Sequence, residues 1–157
     1  MNKESLRRAI IARLQADLAL LTSAARLARD EAISEESRAE NKYDTRGQEA
    51  AYLAEGQARL AAEIGENLRY YESCPLPDLR IASPIVAGAF VEIDEVGLTA
   101  CYFLGARAGG LEFELAGTKV LVITPHSPLG RTLLGRRSGD EFQLGEKGPR
   151  RKILRVG

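Results

Sequence analysis

Apolar residues recur at steps of three and four along the first part of the chain. Leu6, Ile10, Leu14, Leu18, Leu21, Ala25 and Ala28 form one stripe. Arg7, Arg8, Arg13, Asp17 and Arg29 lie mostly off it. That spacing predicts an amphipathic helix from residue 4 to about residue 34. No Pro or Gly interrupts the interval, and alanine is abundant, which favours helix. Roughly 30 residues at about 1.5 Å each make a rod of roughly 45 Å.

A second helical pattern follows. Leu53, Gln57, Leu60, Ile64, Asn67 or Leu68, and Tyr71 are spaced close to a heptad seam. It begins near Glu40 or Tyr43 and ends before Pro75. Gly47, Gly56 and Gly65 each weaken it by about 1 kcal/mol relative to Ala. Neither helix buries its stripe alone, so the two are expected to pair as an antiparallel hairpin. Tyr43, Tyr52, Tyr70 and Tyr71 are expected to pack along the second helix. Pro75 and Pro77 stop the helix and open a linker over 73 to 83.

The period then changes. Val86 to Ile93, Leu98 to Leu104, Leu111 to Leu115 and Lys119 to Ile123 are β-branched or aromatic and partly alternating, with glycine turns at Gly97 and Gly109-Gly110. Glu141 to Leu144 and Lys152 to Val156 are two further strand candidates. One short helix interrupts them. Ser127 caps it, Pro128 suits its first position, Leu129, Leu133 and Leu134 give it an apolar face, and Gly135 can end it. The fold class is therefore α+β: a helical hairpin over 1–73, a linker over 74–83, and a small, strongly bent antiparallel sheet domain with one short helix over 84–157.

Charge adds one feature. The chain has 157 residues and a formal net charge of zero, so bulk electrostatics advertise neither nucleic acid nor membrane. Six acids, Asp30, Glu31, Glu35, Glu36, Glu40 and Asp44, crowd the connection between the helices. An antiparallel hairpin gathers them at the far tip of a rod, which suits delivery of negative charge into a deep place. The basic cluster Lys147, Arg150, Arg151, Lys152 and Arg155 reads first as a solvated edge and second as a partner surface. Cys74 and Cys101 are expected to be free thiols in a reducing cytoplasm. No apolar run reaches the roughly 18 residues of a membrane span. His126, the single histidine, has no companion at zinc-ligand spacing and reads as a turn residue. No phosphate loop, nucleophile triad or CxxC is present, so the residues point to no active site of the chain's own.

The run Ile123-Thr-Pro-His-Ser-Pro-Leu-Gly-Arg-Thr-Leu-Leu-Gly-Arg-Arg-Ser-Gly-Asp-Glu resembles the signature of the bacterial Gre family of transcription elongation factors. Ser127, Pro128, Arg131, Leu133, Gly135, Arg136 and Asp140 fit its pattern. Glu40-Asn41, Tyr43-Asp44 and Tyr52-Leu53 with Glu55-Gly56 resemble the family's second hairpin helix. The order and length of the two halves agree over nearly the whole chain. The resemblance implies an FKBP-like C-terminal domain that docks on the rim of the RNA polymerase secondary channel. Ser127 and Pro128 would form the docking loop, with Leu133 packed behind it and Arg131, Arg136 and Arg137 on the same surface. It also implies that the hairpin tip approaches the polymerase active site, and so the 3′ end of nascent RNA. There, tip carboxylates help hold a Mg²⁺ that belongs to the polymerase. The chain itself would carry no cofactor and act as a monomer.

The tip departs from the family pattern of an acid three residues before the glutamate of Glu-Asn. Counting back from Glu40 gives Ser37. Aligning on Tyr43 instead puts Glu36 in the aspartate's place and Ala39 in the glutamate's. Either way one acid of the pair is displaced. Glu36 and Glu40, spaced i, i+4, share a face if the segment is helical and could substitute as a pair; Glu35 and Asp44 are further candidates. The alternatives are acids that merely solvate the tip, and a family member that occupies the channel without stimulating RNA cleavage. Two other classes are a prolyl isomerase, suggested by the FKBP-like fold alone, and a self-associating coiled-coil scaffold.

Overall fold

In the computed structural model, residues 3–36, 45–79 and 83–157 are described, without the side chains of 31–36, 45–48 and 50. Two long helices come first, α1 Lys3–Glu36 and α2 Thr45–Ser73. Six strands follow: β1 Phe90–Glu95, β2 Leu98–Leu104, β3 Glu112–Leu115, β4 Thr118–Ile123, β5 Glu141–Gln143 and β6 Arg150–Val156. A short helix, α3 Pro128–Leu133, lies between β4 and β5. Every element expected from the residue pattern is present.

The compact units divide the chain differently from the expected 1–73 and 84–157. One unit contains Met1–Ile10 and Tyr70–Gly157, and the other contains Ile11–Arg69. The reason lies in the helix ends. Tyr71 and Cys74 are buried, as are Leu6 and Ile10. The Arg7 guanidinium donates to the Cys74 carbonyl and the Lys3 ammonium to the Pro77 carbonyl. Two cations thus meet carbonyls just past the C-terminus of α2, where the helix dipole favours positive charge. The first part of the expected linker is therefore packed, and Leu79 lies against the core.

In the sheet unit the strand order is β3-β4-β2-β1-β6-β5. Four of its pairings are antiparallel, but β2 and β4 run parallel, Cys101 opposite Val120 and Leu104 opposite Ile123. This corrects the expectation of an all-antiparallel sheet. The tight turn at Ala116-Gly117 (φ 51 and 76) makes a β3–β4 hairpin. Its second strand, not its first, lies against β2. Strand identity is a local property; the neighbour a strand chooses is not.

Both faces of the sheet carry buried residues. Val91, Ile93, Leu104, Ile123, Leu133, Ile153 and Val156 form one core cluster. Phe90, Phe103 and Val122 are buried on the alternate positions of the same strands. The Tyr71 ring lies 6.3 Å from that of Phe103, and its hydroxyl donates to the Arg107 carbonyl at 2.7 Å. Gly105 makes this possible, since a Cβ there would stand 2.2 Å from the Tyr71 hydroxyl oxygen.

In the helical unit the expected seam is only partly closed. Leu14 and Asn67 are buried, so Asn67 takes the seam position that Leu68 could have filled. Leu18, Leu21, Ala25, Gln57 and Ile64 are half-buried. Leu53 and Leu60, expected inside, are 61% and 49% exposed. An open groove of about 460 Å³ runs between the helices, lined by Leu21, Ala25, Ala28, Leu53, Gln57 and Ala58 among others. Alanines at facing positions leave that space, because two helices alone cannot wrap the stripe completely.

Candidate functional site

Thr124 to Arg131 carries the candidate docking surface. Ile123 ends β4 inside the core, and the chain turns immediately. The Thr124 carbonyl accepts the Ser127 N–H at 3.0 Å and the Ser127 hydroxyl at 2.8 Å. The same hydroxyl oxygen accepts the Gly130 N–H at 3.0 Å, so Ser127 is the N-cap of α3. Pro128 occupies the first helical turn, where its missing N–H costs nothing. The Arg131 N–H donates to the Ser127 carbonyl at 2.9 Å. Gly135 follows the helix at φ 78, and its N–H donates to the Ile85 carbonyl. That left-handed position is the stop expected from the residue type.

The four expected docking residues divide into two roles. Leu133 is fully buried and Ser127 is occupied by its cap and by Thr124. Pro128 and Arg131 are exposed, as is His126. The first pair shapes the loop and the second pair presents it. Arg136 belongs with the shaping residues. Its guanidinium donates to the Thr132 and Glu141 carbonyls at 2.7 and 3.1 Å and lies 5.8 Å from the centre of the Phe142 ring. The Arg137 N–H donates to the Asp140 carboxylate at 2.8 Å, closing the turn that follows.

Gly130 has a part here that sequence reasoning missed. A Cβ at Gly130 would stand 1.9 Å from the Thr124 carbonyl oxygen and 3.0 Å from the Ser127 Oγ. The close approach of α3 to the end of β4 therefore requires glycine. A Gly inside an otherwise good short helix, three residues after its cap, was the available signal.

Glu36 is the last residue of α1. Its side chain, and those of Glu35, Glu40, Asn41, Tyr43 and Asp44, lie outside the described residues. Among the described residues no group of three His, Cys, Asp or Glu side chains could hold a metal ion. No helix among them is long and apolar enough to cross a membrane.

The basic cluster is largely paired. Arg151 meets Glu95 at 2.8 Å, Arg155 meets Glu92 at 3.7 Å and Arg150 approaches Glu141 at 3.9 Å. The same Glu95 oxygen accepts the Tyr102 hydroxyl at 2.9 Å. Burial, then the Glu95 hydrogen bond and charge, push the Tyr102 phenol up to about 12. Burial also raises both thiols, at Cys101 with help from the Glu92 charge. Neither cysteine is held as a thiolate, the form a nucleophile or metal ligand requires.

No family model matches the chain, and no curated protein does. Solved structures similar to it include Gfh1 of Thermus aquaticus, 23% identical over 95% of this chain and 94% of that one, with a TM-score of 0.37. Another is GreA factor homolog 1 of Thermus thermophilus, 22% identical over 95% of each chain, with a TM-score of 0.37. A third is described as the transcription factor Gfh1, 21% identical over 94% of this chain and 93% of that one, with a TM-score of 0.39.

Proposed function

We propose that this chain is a Gre-type transcription elongation factor that binds RNA polymerase at its secondary channel. The sheet unit anchors it through the Ser127–Arg131 loop, and the hairpin tip reaches toward the active site. One observation carries the reading. Each residue of the Ser-Pro-x-Gly-Arg-x-Leu run has a distinct geometric duty, and together they hold Pro128 and Arg131 outward on a rigid turn. A loop whose interior positions are all committed to shape is suited to recognition by its exterior ones.

The factor is an accessory, and the polymerase supplies the catalysis. A polymerase-bound Mg²⁺ takes hard oxygen ligands and stabilises the attacking and leaving oxygens of phosphodiester hydrolysis. Glu36 and Glu40 are the tip carboxylates assigned to assist it. A second reading is a cytoplasmic regulator that occupies the channel without stimulating cleavage. The displacement of one acid from the family pattern favours that version.

Binding of the labelled chain to bacterial core polymerase tests the first statement. Arg131→Glu is expected to weaken it about tenfold or more, because it reverses the one exposed charge on the turn. Unchanged affinity would remove the loop from the interface. Cleavage of backtracked RNA tests the second. A 3′ fragment released above the polymerase-alone rate, and lost in Glu36→Ala and Glu40→Ala, selects the cleaving version. Binding without added cleavage selects the regulator.

A further inference from the structure

Strands β2 and β4 run parallel, with Leu104 opposite Ile123 at their ends. Adjacent strands lie about 4.8 Å apart, so the loops that leave them start side by side at one end of the sheet. One is the Thr124–Arg131 loop. The other, Gly105 to Gly110, leads from β2 to β3. The two are fastened together. The Gly105 N–H donates to the Ile123 carbonyl at 2.9 Å and the Gly110 N–H to the Val122 carbonyl at 2.8 Å. A Cβ at Gly109 would stand 2.8 Å from the Thr124 methyl carbon, so the loops touch at that glycine.

Residue 107 is held by its backbone. Its carbonyl accepts the hydroxyl of the buried Tyr71 at 2.7 Å, and the Leu111 N–H donates to the Ala108 carbonyl at 3.1 Å to close the turn that follows. The Arg107 side chain is exposed, as are Pro128 and Arg131 on the neighbouring loop. One rigid platform therefore presents guanidinium groups from both loops.

Charge narrows the occupant. Residues 105–111 and 124–139 contain Arg107, His126, Arg131, Arg136 and Arg137 and no Asp or Glu. The first acids beyond them are Glu112 and Asp140. A guanidinium is a weakly hydrated planar fork that fits a carboxylate with two bonds, and a rigid support lowers the ordering cost of that contact. The complement of this platform is an anionic face. Neither segment contains Phe, Tyr or Trp on which a base could stack, which favours protein carboxylates over nucleic acid.

We propose that Arg107, on the Gly105–Gly110 loop, is a second cationic contact of the docking surface, and that the polymerase face it meets carries carboxylates. This rests on the function proposed above.

The test is affinity for core polymerase at low and high salt, with melting temperature alongside, in wild type, Arg107→Ala, Arg107→Glu and Arg131→Glu. Arg107→Glu is expected to bind about tenfold more weakly at low salt and Arg107→Ala about threefold, both differences shrinking as salt rises. Melting temperatures are expected to match wild type, because the bond to Tyr71 uses the backbone of residue 107. If Arg131→Glu binds poorly while both Arg107 variants bind like wild type, the second contact is wrong and the docking reading stands. If the wild type does not bind polymerase, both fall. A loss in the Arg107 variants that salt leaves unchanged would overturn the acidic partner. Weaker binding with a lower melting temperature in both variants would assign Arg107 to the fold and overturn the contact. Binding of the wild type to a short single-stranded RNA without polymerase, abolished in Arg107→Glu, would overturn the proposal in favour of nucleic acid.

Discussion

Replacing Gly130 by alanine should reverse the usual sign of a helical Gly→Ala change. In an open helix interior that substitution stabilises by about 1 kcal/mol. At Gly130 the added carbon would meet the Thr124 carbonyl oxygen at 1.9 Å, so the gap must open by about 1 Å to reach even 3.0 Å. Backbone stands on both sides, so α3 must move. Movement breaks the Ser127 cap, about 1 kcal/mol, and partly unpacks the buried Leu133, about 2 kcal/mol or more. Set against the propensity gain, the net loss is about 2–3 kcal/mol. Gly56 in α2 is the internal control. A Cβ there meets nothing within 4 Å. Gly56→Ala should therefore stabilise its own unit by about 1 kcal/mol. Native-state hydrogen exchange separates the two units. The Leu104 and Ile153 amides, bonded to the Ala89 and Asp140 carbonyls, report on the sheet. They should exchange about thirty- to a hundred-and-fiftyfold faster in Gly130→Ala, and amides around Gly56 about fivefold slower in Gly56→Ala. A Gly130→Ala protein as stable as wild type would refute the packing argument for the loop.

Other outcomes follow from the same geometry. Tyr71→Phe removes the hydroxyl that donates to the Arg107 carbonyl, and should cost about 1 kcal/mol in urea unfolding of the sheet unit. Gly105→Ala should be costly in wild type and about 1 kcal/mol less costly in the Tyr71→Phe background, because the new Cβ would clash with that hydroxyl. An additive pair would contradict the close approach. The Tyr102 phenol is raised in the fold from 10.0 to about 12. Its contribution is fully present below pH 10 and is lost as pH rises to about 12, since the unfolded chain ionises first. The wild-type stability curve should therefore fall more steeply across that window than the curve of Tyr102→Phe, and parallel curves would refute the shift.

The residue pattern was a good guide wherever a property is local. A stripe at three and four places α1, alternation with glycine turns places the strands, and Ser127-Pro128 places the start of α3 to the residue. These follow from backbone periodicity and from which side chains satisfy a helix end. The signature run also pointed to the loop that the structure holds rigid, though not to the reason for Gly130.

What the sequence left open depends on residues far apart in the chain. The parallel β2–β4 pair and the burial of Tyr71 and Cys74 beside Leu6 and Ile10 are decided by packing. The basic cluster shows the difference most plainly. Five cations near the C-terminus read as a solvated edge or a partner surface until Glu92, Glu95 and Glu141 are found opposite three of them. Periodicity settles which face a residue occupies, because that is a matter of dihedral angles within one turn. Only the folded chain decides what stands across from that face.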